Sequence, residues 1–452
     1  SLPSWERARQ ALRDSIYCRS MDRFLKANDS PLSFLEHLKK RGLIHDHTPG
    51  LEGYLKECSA AGLVPKAYIG FDPSAASLQV GNLLQAMMLR RAQLHGVQPI
   101  VLLGGATGLI GDPSGKKEER TLLERDTAQS NLEKQKAQLA SLIDFSPGKY
   151  QAKFVNNFDW FKEFRFLDFL RDVGKHITVN YMTAKDSVKI RMETGISYAE
   201  FGYMLVQGYD FLHLFEHEQC AIQMGGSDQW GNITTGLELI RRKHGKEGHA
   251  LSTPLLTDSA GNKLGKTEKG AMYLDPKLTS PFQFFQFWLG QADADTPKLL
   301  RQLTLLRDEY IEDLERQMST DPAARVAQKI LAHEITRLVH GEEQAIAAEN
   351  ASRVLFSKDP KVLSSLSPKG LELLSQEVPS SKVVLPVGII DLLVQTGMAS
   401  SKGEARRHLK SGAVTINREK VTDENHQITS LGEKGLLLLG IGKSNLHLVL
   451  SA

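Results

Sequence analysis

Hydrophobic and polar positions change period along this chain, and each change marks an element. Lys66–Phe71 (KAYIGF) alternates as a half-buried strand does, and Asp72-Pro73 ends it, because proline cannot donate to a ladder. Small residues follow (Ser74, Ala75, Ala76, Ser77), and then the period lengthens. Val80, Leu83, Leu84 and Met87 share one face of a helix that opens at Gly81. Arg90, Arg91 and His95 fall in its last turn and Gly96 closes it, as the dipole and cap rules expect. Pro99–Leu103 is a continuous apolar run of strand length, and the glycine-rich GGATGLIGDPSGKKEER occupies Gly104–Arg120. Strand, helix, strand and glycine loop in that order predict a parallel, doubly wound α/β sheet. The loop and helix start after the first strand offer free backbone N–H groups to an anion, although an ordinary βα turn has the same pattern.

The flanks read as follows. A helical pattern from Ser33 (Phe34, Leu35, Leu38, Leu43) leads to the first strand. Phe154–Asn157 suits a short strand, and Phe161–Val173 an aromatic-rich helix whose Phe164, Phe166, Phe169 and Leu170 would serve core packing or a dimer interface. Ser197-x-x-Glu200 is a capping box opening a further helix. Cys220–Met224 is the next apolar run and ends in GGSDQWGN (Gly225–Asn232). Beyond Ser280-Pro281 helices are expected to about Asn350, Val326–Val339 being the clearest; residues 351–385, rich in Ser, Pro and Lys, read as a linker. Residues 386–452 form a small unit of their own.

Composition narrows this picture only a little. The 452 residues, 41% hydrophobic and 24% charged, describe a globular chain of several domains, and no apolar run approaches a membrane span. The net charge of +3 hides a local excess: Lys402, Arg406, Arg407, Lys410, Arg418 and Lys420 stand against Glu404 and Glu419. Arg406, Arg407 and Lys410 share a helix face, Gly412–Asn417 reads as a strand and turn, and RNA is the natural partner of such a patch. Cys18, Cys58 and Cys220 lack metal-ligand spacing and read as free thiols, with no metal site expected. Residues 1–32 carry six Arg or Lys against four acids, which suits either the sequel of an organellar transit peptide or an exposed amphipathic helix. Ser1 in place of Met points to a processed or trimmed N-terminus.

Several residues carry candidate chemistry. Tyr203, Gln207 and Asp210 lie four and three apart on one helical face, and a phenol, an amide and a carboxylate make a poor core stripe but a good wall for a small polar ligand. Gly225 and Gly226 permit close backbone approach where ligands sit in such sheets, and Asp228 and Gln229 add an acceptor and an amide. Lys116 and Arg120 would share a helical turn, and KLGKT (Lys263–Thr267) sits in a polar loop. No Walker or GxGxxG motif is present.

With YIGFDP, GGATGLIGDPSGKKEER, LVQGYDF, GGSDQWGN, KLGKT and RLVHGEE in this order, the chain resembles the bacterial-type tyrosyl-tRNA synthetases, class I enzymes, from about Ser33 to its end. The resemblance implies a Rossmann-type catalytic domain (33–280) with a dimer-interface insertion near 121–195, a helical anticodon-binding domain (281–350), and a ribosomal-protein-type RNA-binding domain (386–452). It implies that tyrosine attacks the α-phosphate of Mg²⁺–ATP and that the acyl group passes to tRNA(Tyr), in a homodimer without a membrane partner. Tyr68 and Asp210 would bind the phenol; Asp112, Tyr203 and Gln207 the ammonium, with Thr107 and Asn157 nearby. Gly70, Asp72, Gly81, Gly226, Asp228 and Gln229 would contact the adenylate, Gln229 also the tyrosine. Ser74, Lys116, Arg120, Lys263, Lys266 and Thr267 would surround the pyrophosphate, and Lys402, Arg406, Arg407 and Lys410 would touch tRNA. The family's HIGH signature here reads Gln79-Val80-Gly81-Asn82. Asn82 can replace an imidazole N–H toward the ribose, whereas Gln79 keeps a neutral donor but loses the imidazolium charge. That loss leaves a second reading, a non-catalytic RNA-binding protein such as an intron-splicing cofactor. Tyrosine is favoured over tryptophan because Tyr68 and Asp210 offer two polar partners to a phenol.

Overall fold

In a computed structural model, residues 23–28, 30, 32–114, 122–193, 195–267, 270–357, 363, 366–432, 435–442 and 445–452 are described. The basic residues before Arg23 therefore lie outside the described residues, as do Lys116 and Arg120. The chain divides into two compact units, one running to Leu278 and including Gln291–Leu331, the other made of Thr279–Gly290 and Ala332–Ala452.

The first unit is built on one sheet. Its strands are β1 (Asp46–His47), β2 (Lys66–Phe71), β3 (Gln98–Leu103), β4 (Lys153–Asn156), β5 (Ile222–Gly226) and β6 (His249–Thr253). They lie in the order β1-β6-β5-β2-β3-β4, parallel except for β1, which pairs antiparallel with β6. The doubly wound expectation holds, with β2 at the centre between β3 and β5. The expected strand 220–224 slides to Ile222–Gly226, because the pairing with β6 continues through both glycines (Gly225 with Ser252, Gly226 with Thr253).

The helix Val80–Leu94 fills the layer beside β2 and β3, and it is buried on nearly every side. Arg91 therefore does not serve the helix dipole in solvent. Its side chain is fully buried and donates to the carbonyls of Thr304 (2.7 Å) and Arg301 (3.2 Å). Arg41 caps the same stretch by donating to Leu306 O (2.5 Å) and pairing with Asp308 (2.7 Å). Two buried guanidinium groups thus hold the turn after the helix Thr296–Leu303, and carbonyls and one carboxylate offset part of their desolvation, Arg91 Nε and Nη1 finding no hydrogen-bond partner among the described residues.

Three local expectations change. The aromatic stretch forms two short helices, Phe158–Phe161 and Phe166–Asp172, with Phe164 at the turn packing edge-on to Phe169 and Tyr209. Ser197 caps its helix as expected, but the Glu200 carboxylate forms a two-bond fork with Arg191 (2.6 and 2.9 Å). Helices do run from Pro281 to Phe356, yet residues 281–350 are shared between the two units.

In the second unit the helices Pro281–Leu289, Glu342–Phe356 and Pro368–Glu377 pack together. Much of the expected linker is therefore ordered. Ser367 caps the helix that Pro368 opens, Leu373 and Leu374 are buried, and Ser380–Val383 is an edge strand. A Ser-Pro pair that composition marks as linker is here a helix start. The C-terminal sheet runs Glu419–Lys420, Val414–Ile416, Leu436–Ile441, Asn445–Ser451, Ser380–Val383, over a core that includes Leu392, Leu409, Leu439 and Val449.

Candidate active site

A parallel sheet leaves a crevice where its chain departs in opposite directions, here between β2 and β5. A cleft of about 370 Å³ opens there. It is lined by Tyr68, Gly70, Asp72 and Ser74 from β2 and its loop, by Gln79, Gly81 and Asn82 from the helix start, and by Thr107 and Asp112. Tyr203, Gln207 and Asp210 come from the helix Tyr198–Glu218, Gly226, Asp228 and Gln229 from the end of β5, and Lys263 and Lys266 from the lysine loop. The one-face spacing of Tyr203, Gln207 and Asp210 thus brings all three to a single wall. Asn157 stands behind that wall, fully buried. The side chain of Thr267 lies outside the described residues, like Lys116 and Arg120.

The closed end holds two polar groups. The Tyr68 hydroxyl is buried and has no hydrogen-bond partner among the described residues. Asp210 accepts from Asn157 Nδ2 (3.0 Å) and Trp160 Nε1 (2.9 Å). Burial pushes the Asp210 carboxyl well above its usual range, against the pull of those two donors, and the Asp72 charge adds to the rise. Burial raises the Tyr68 phenol as well, with Asp210 the next cause. A lone hydroxyl beside a carboxylate suits a ligand hydroxyl that donates and accepts at once.

The middle is acidic. Asp72 accepts from Thr107 Oγ1 (2.6 Å) and the Tyr203 hydroxyl (2.8 Å), so two residues expected to serve different substrates are joined to each other. Burial raises the Tyr203 phenol well above normal, and the neighbouring Asp72 and Asp112 add to it. Asp112 accepts from Gln229 Nε2 (2.7 Å) and the Ser114 amide (2.9 Å), and Asn232 braces the group through Gln229 Oε1 (3.2 Å) and Ser114 Oγ (3.1 Å). Two carboxylates facing one space favour a cation.

The outer end is mixed. Gln79 is the extended N-cap of its helix, and its backbone N–H donates to Asn82 Oδ1 (2.9 Å). Asn82 thereby caps the helix with its oxygen and keeps its amide nitrogen as a donor. Burial raises the Asp228 carboxyl, and Lys263 pulls it back. Among the described residues no group of three or more His, Cys, Asp or Glu could hold a metal ion. Trp160 and Asn232 escaped the sequence reading; Trp160 sits three residues after Asn157, a spacing that could have flagged it.

On the second unit, Lys402, Arg406, Arg407 and Lys410 are all exposed on the helix Lys402–Lys410. Acids distant in sequence temper the patch: Asp391 pairs with Lys402 (2.8 Å), and Glu424 with Arg406 (3.4 Å) and Lys410 (3.6 Å). Arg418 does not belong to it, because its guanidinium donates to the carbonyls of Val354 (2.9 Å) and Leu355.

A family of "tRNA synthetases class I (W and Y)" matches residues 64–357, and a "Tyrosine--tRNA ligase SYY-like C-terminal domain" matches 371–449. The tyrosine–tRNA ligase of Roseiflexus castenholzii is 46% identical over 92% of this chain and 99% of its own length. That of Porphyromonas gingivalis is 46% identical over 93% of this chain and all of its own. A C-terminally truncated mitochondrial tyrosyl-tRNA synthetase of Aspergillus nidulans superposes with a TM-score of 0.65 at 31% identity, over 78% of this chain and 99% of its own. These likenesses favour the ligase over the RNA-binding alternative. With a family match over residues 64–357 and relatives 46% identical over more than nine-tenths of its length, the chain belongs to the class I tyrosyl-tRNA synthetases, ATP-dependent enzymes that join tyrosine to its tRNA.

Proposed function

We propose that this ligase reads the substrate phenol with Tyr68 and Asp210, a reading carried by the Tyr68 hydroxyl, which has no partner among the described residues, beside the Asp210 carboxylate at the closed end of the cleft. Asp112, Tyr203 and Gln207 hold the ammonium, the acids of the middle supplying its countercharge, and Asn157 acts from behind by orienting Asp210 and Thr107. The carboxylate of tyrosine then faces the α-phosphate of Mg²⁺–ATP, which lies toward Gly70, Asp72, Gly81, Gly226 and Asp228 with Gln229 alongside. Lys263 and Lys266, joined by Lys116 and Arg120, neutralise charge on the departing pyrophosphate, Ser74, Gln79 and Thr267 donate hydrogen bonds to it, and Asn82 donates toward the ribose. The protein works by positioning and electrostatic stabilisation and forms no covalent intermediate of its own.

We further propose a homodimer formed through the insertion. Phe166, Leu167, Val179, Ile190 and Met192 there, with Tyr198 just beyond, are all more than half exposed, and a partner subunit would take such apolar side chains out of water. Leu167→Glu should sediment as a monomer at concentrations where the parent is dimeric; an unchanged sedimentation coefficient would remove this face from the interface.

Phenylalanine would bring no hydroxyl to the buried Tyr68 phenol and no donor to Asp210 beyond Asn157 and Trp160. Tyrosyl-tRNA synthetases are themselves the known example of this rule, so a rejection of about 10⁴–10⁵ is the family's magnitude and not a consequence of these distances. Asp210→Ala should abolish tyrosine-dependent ATP–pyrophosphate exchange, and the assignment fails if tyrosine affinity and exchange rate are both unchanged.

Gln79 tests the altered signature. A preorganised donor that acts only in the transition state is typically worth roughly 10²–10³ in rate, and a neutral amide retains part of this. Gln79→His should raise the single-turnover rate of adenylate formation severalfold and Gln79→Ala should lower it, both with tyrosine affinity unchanged. Gln79 does not face the phosphates if neither substitution moves that rate.

Lys402, Arg406, Arg407 and Lys410 bind tRNA phosphates in this reading. Reversing Arg406 and Arg407 to Glu should weaken tRNA binding and flatten its logarithmic salt dependence by about 0.9 per lost duplex contact, or about 0.7 on a single strand. An unaltered slope would take the helix out of the tRNA interface.

A further inference from the structure

The loop after β2, Pro73–Leu78, consists mainly of small residues with little packing surface of their own. One face of the helix Arg125–Leu142 holds it. Asn131, Gln135 and Gln138, four and three residues apart, line up on that face. Asn131 Nδ2 donates to Pro73 O (3.1 Å) and Gln135 Nε2 to Ala75 O (2.8 Å). Gln138 accepts from the Leu78 amide at Oε1 (2.9 Å) and donates from Nε2 to Ser77 Oγ (2.9 Å). Asn131 and Gln135 are 6% and 3% exposed. Amides so buried are costly unless paired, and a core helix would pack better with leucine there. All three are instead committed to a single loop.

Ser77 extends the connection. Its hydroxyl is buried, accepts from the Asp275 amide (3.0 Å) and donates to Leu78 O (2.8 Å). The segment before Asp275 is tied in by the bonds Leu274 N to Leu78 O (2.9 Å), Val80 N to Met272 O (3.2 Å) and Met272 N to Gly265 O (2.8 Å). Gly265, at φ +86°, lies so close to Val80 that a Cβ on it would meet the Val80 Cβ at 3.0 Å. A continuous hydrogen-bonded path therefore runs from the amide ladder to the lysine loop, while none of the three amides lines the cleft itself.

We propose that Asn131, Gln135 and Gln138 are positioning residues of the activation step. They set the loop that carries Ser74 and, through Ser77, the register of the lysine loop against it. This rests on the reading above of Ser74, Lys263 and Lys266 as donors to the phosphates. Such donors act only when held in place, and a displacement of about 1 Å can cost about 10²-fold.

The test uses the full chain with Gln135→Met and Gln138→Met, measuring tyrosine binding by equilibrium dialysis and adenylate formation in a single turnover. Both variants should form adenylate roughly 10- to 100-fold more slowly, with tyrosine affinity unchanged. On a Ser74→Ala background Gln135→Met should cost far less than on the parent, because its effect passes through Ser74. Gln138→Glu keeps an acceptor for the Leu78 amide and loses the donor to Ser77, so its rate should fall between parent and Gln138→Met. If a Met variant no longer binds tyrosine, Gln138→Glu decides alone: slowed adenylation with parental tyrosine binding supports the proposal, and a parental rate overturns it. Unchanged rates in both Met variants, or full additivity with Ser74→Ala, also overturn it. A parent that forms no adenylate would fail the reading of the cleft, and the ladder with it; an active parent beside unaffected variants fails the ladder alone.

Discussion

Two hydroxyls converging on Asp72 hold the site together. Thr107 comes from the loop after β3 and Tyr203 from the helix before β5, while Asp72 itself ends β2, so one carboxylate joins the three segments that meet at the switch point. Hydrogen bonds to a charged group are worth about 1.5–3 kcal/mol each when buried, enough to fix loops that pack little apolar surface. The approach is so close that a Cβ at Gly104 would lie 2.0 Å from Asp72 Oδ1, and one at Gly108 would lie 2.5 Å from Pro73 Cδ. Gly104 and Gly108 are thus required for packing one loop on another.

The cleft carries a gradient of charge from that junction outward. Its inner and middle parts hold Asp210, Asp72 and Asp112, and its mouth holds Lys263 and Lys266. A ligand with a neutral hydroxyl, an ammonium and then a polyphosphate would meet a complementary group at each level. Burial raises both Asp210 and Asp228; the Lys263 charge opposes the rise at Asp228, and the neutral donors Asn157 and Trp160 oppose it at Asp210. The altered signature is accommodated locally, since Asn82 caps the helix that Gln79 precedes while retaining a donor.

The sequence by itself determined the periods, and with them the parallel strands, the helix Val80–Leu94 and the one-face set Tyr203, Gln207 and Asp210. These follow from backbone geometry and local spacing, which a chain carries wherever it folds. The motifs also sufficed to bring the cleft's lining residues to attention before any distance was known. Tertiary structure alone decided which polar groups pair. Arg91 looked like a dipole partner and is a buried strut; Tyr203 and Asp72, 131 residues apart, answer to each other; and Glu424, outside the basic run, tempers Arg406 and Lys410. The ladder Asn131, Gln135 and Gln138 resembles an ordinary polar face until the loop it serves is seen against it. Ser367-Pro368 likewise reads as linker until Leu373 and Leu374 find a helix to bury against. Hydrogen-bond partners and burial are properties of approach between distant segments, and no local pattern encodes them.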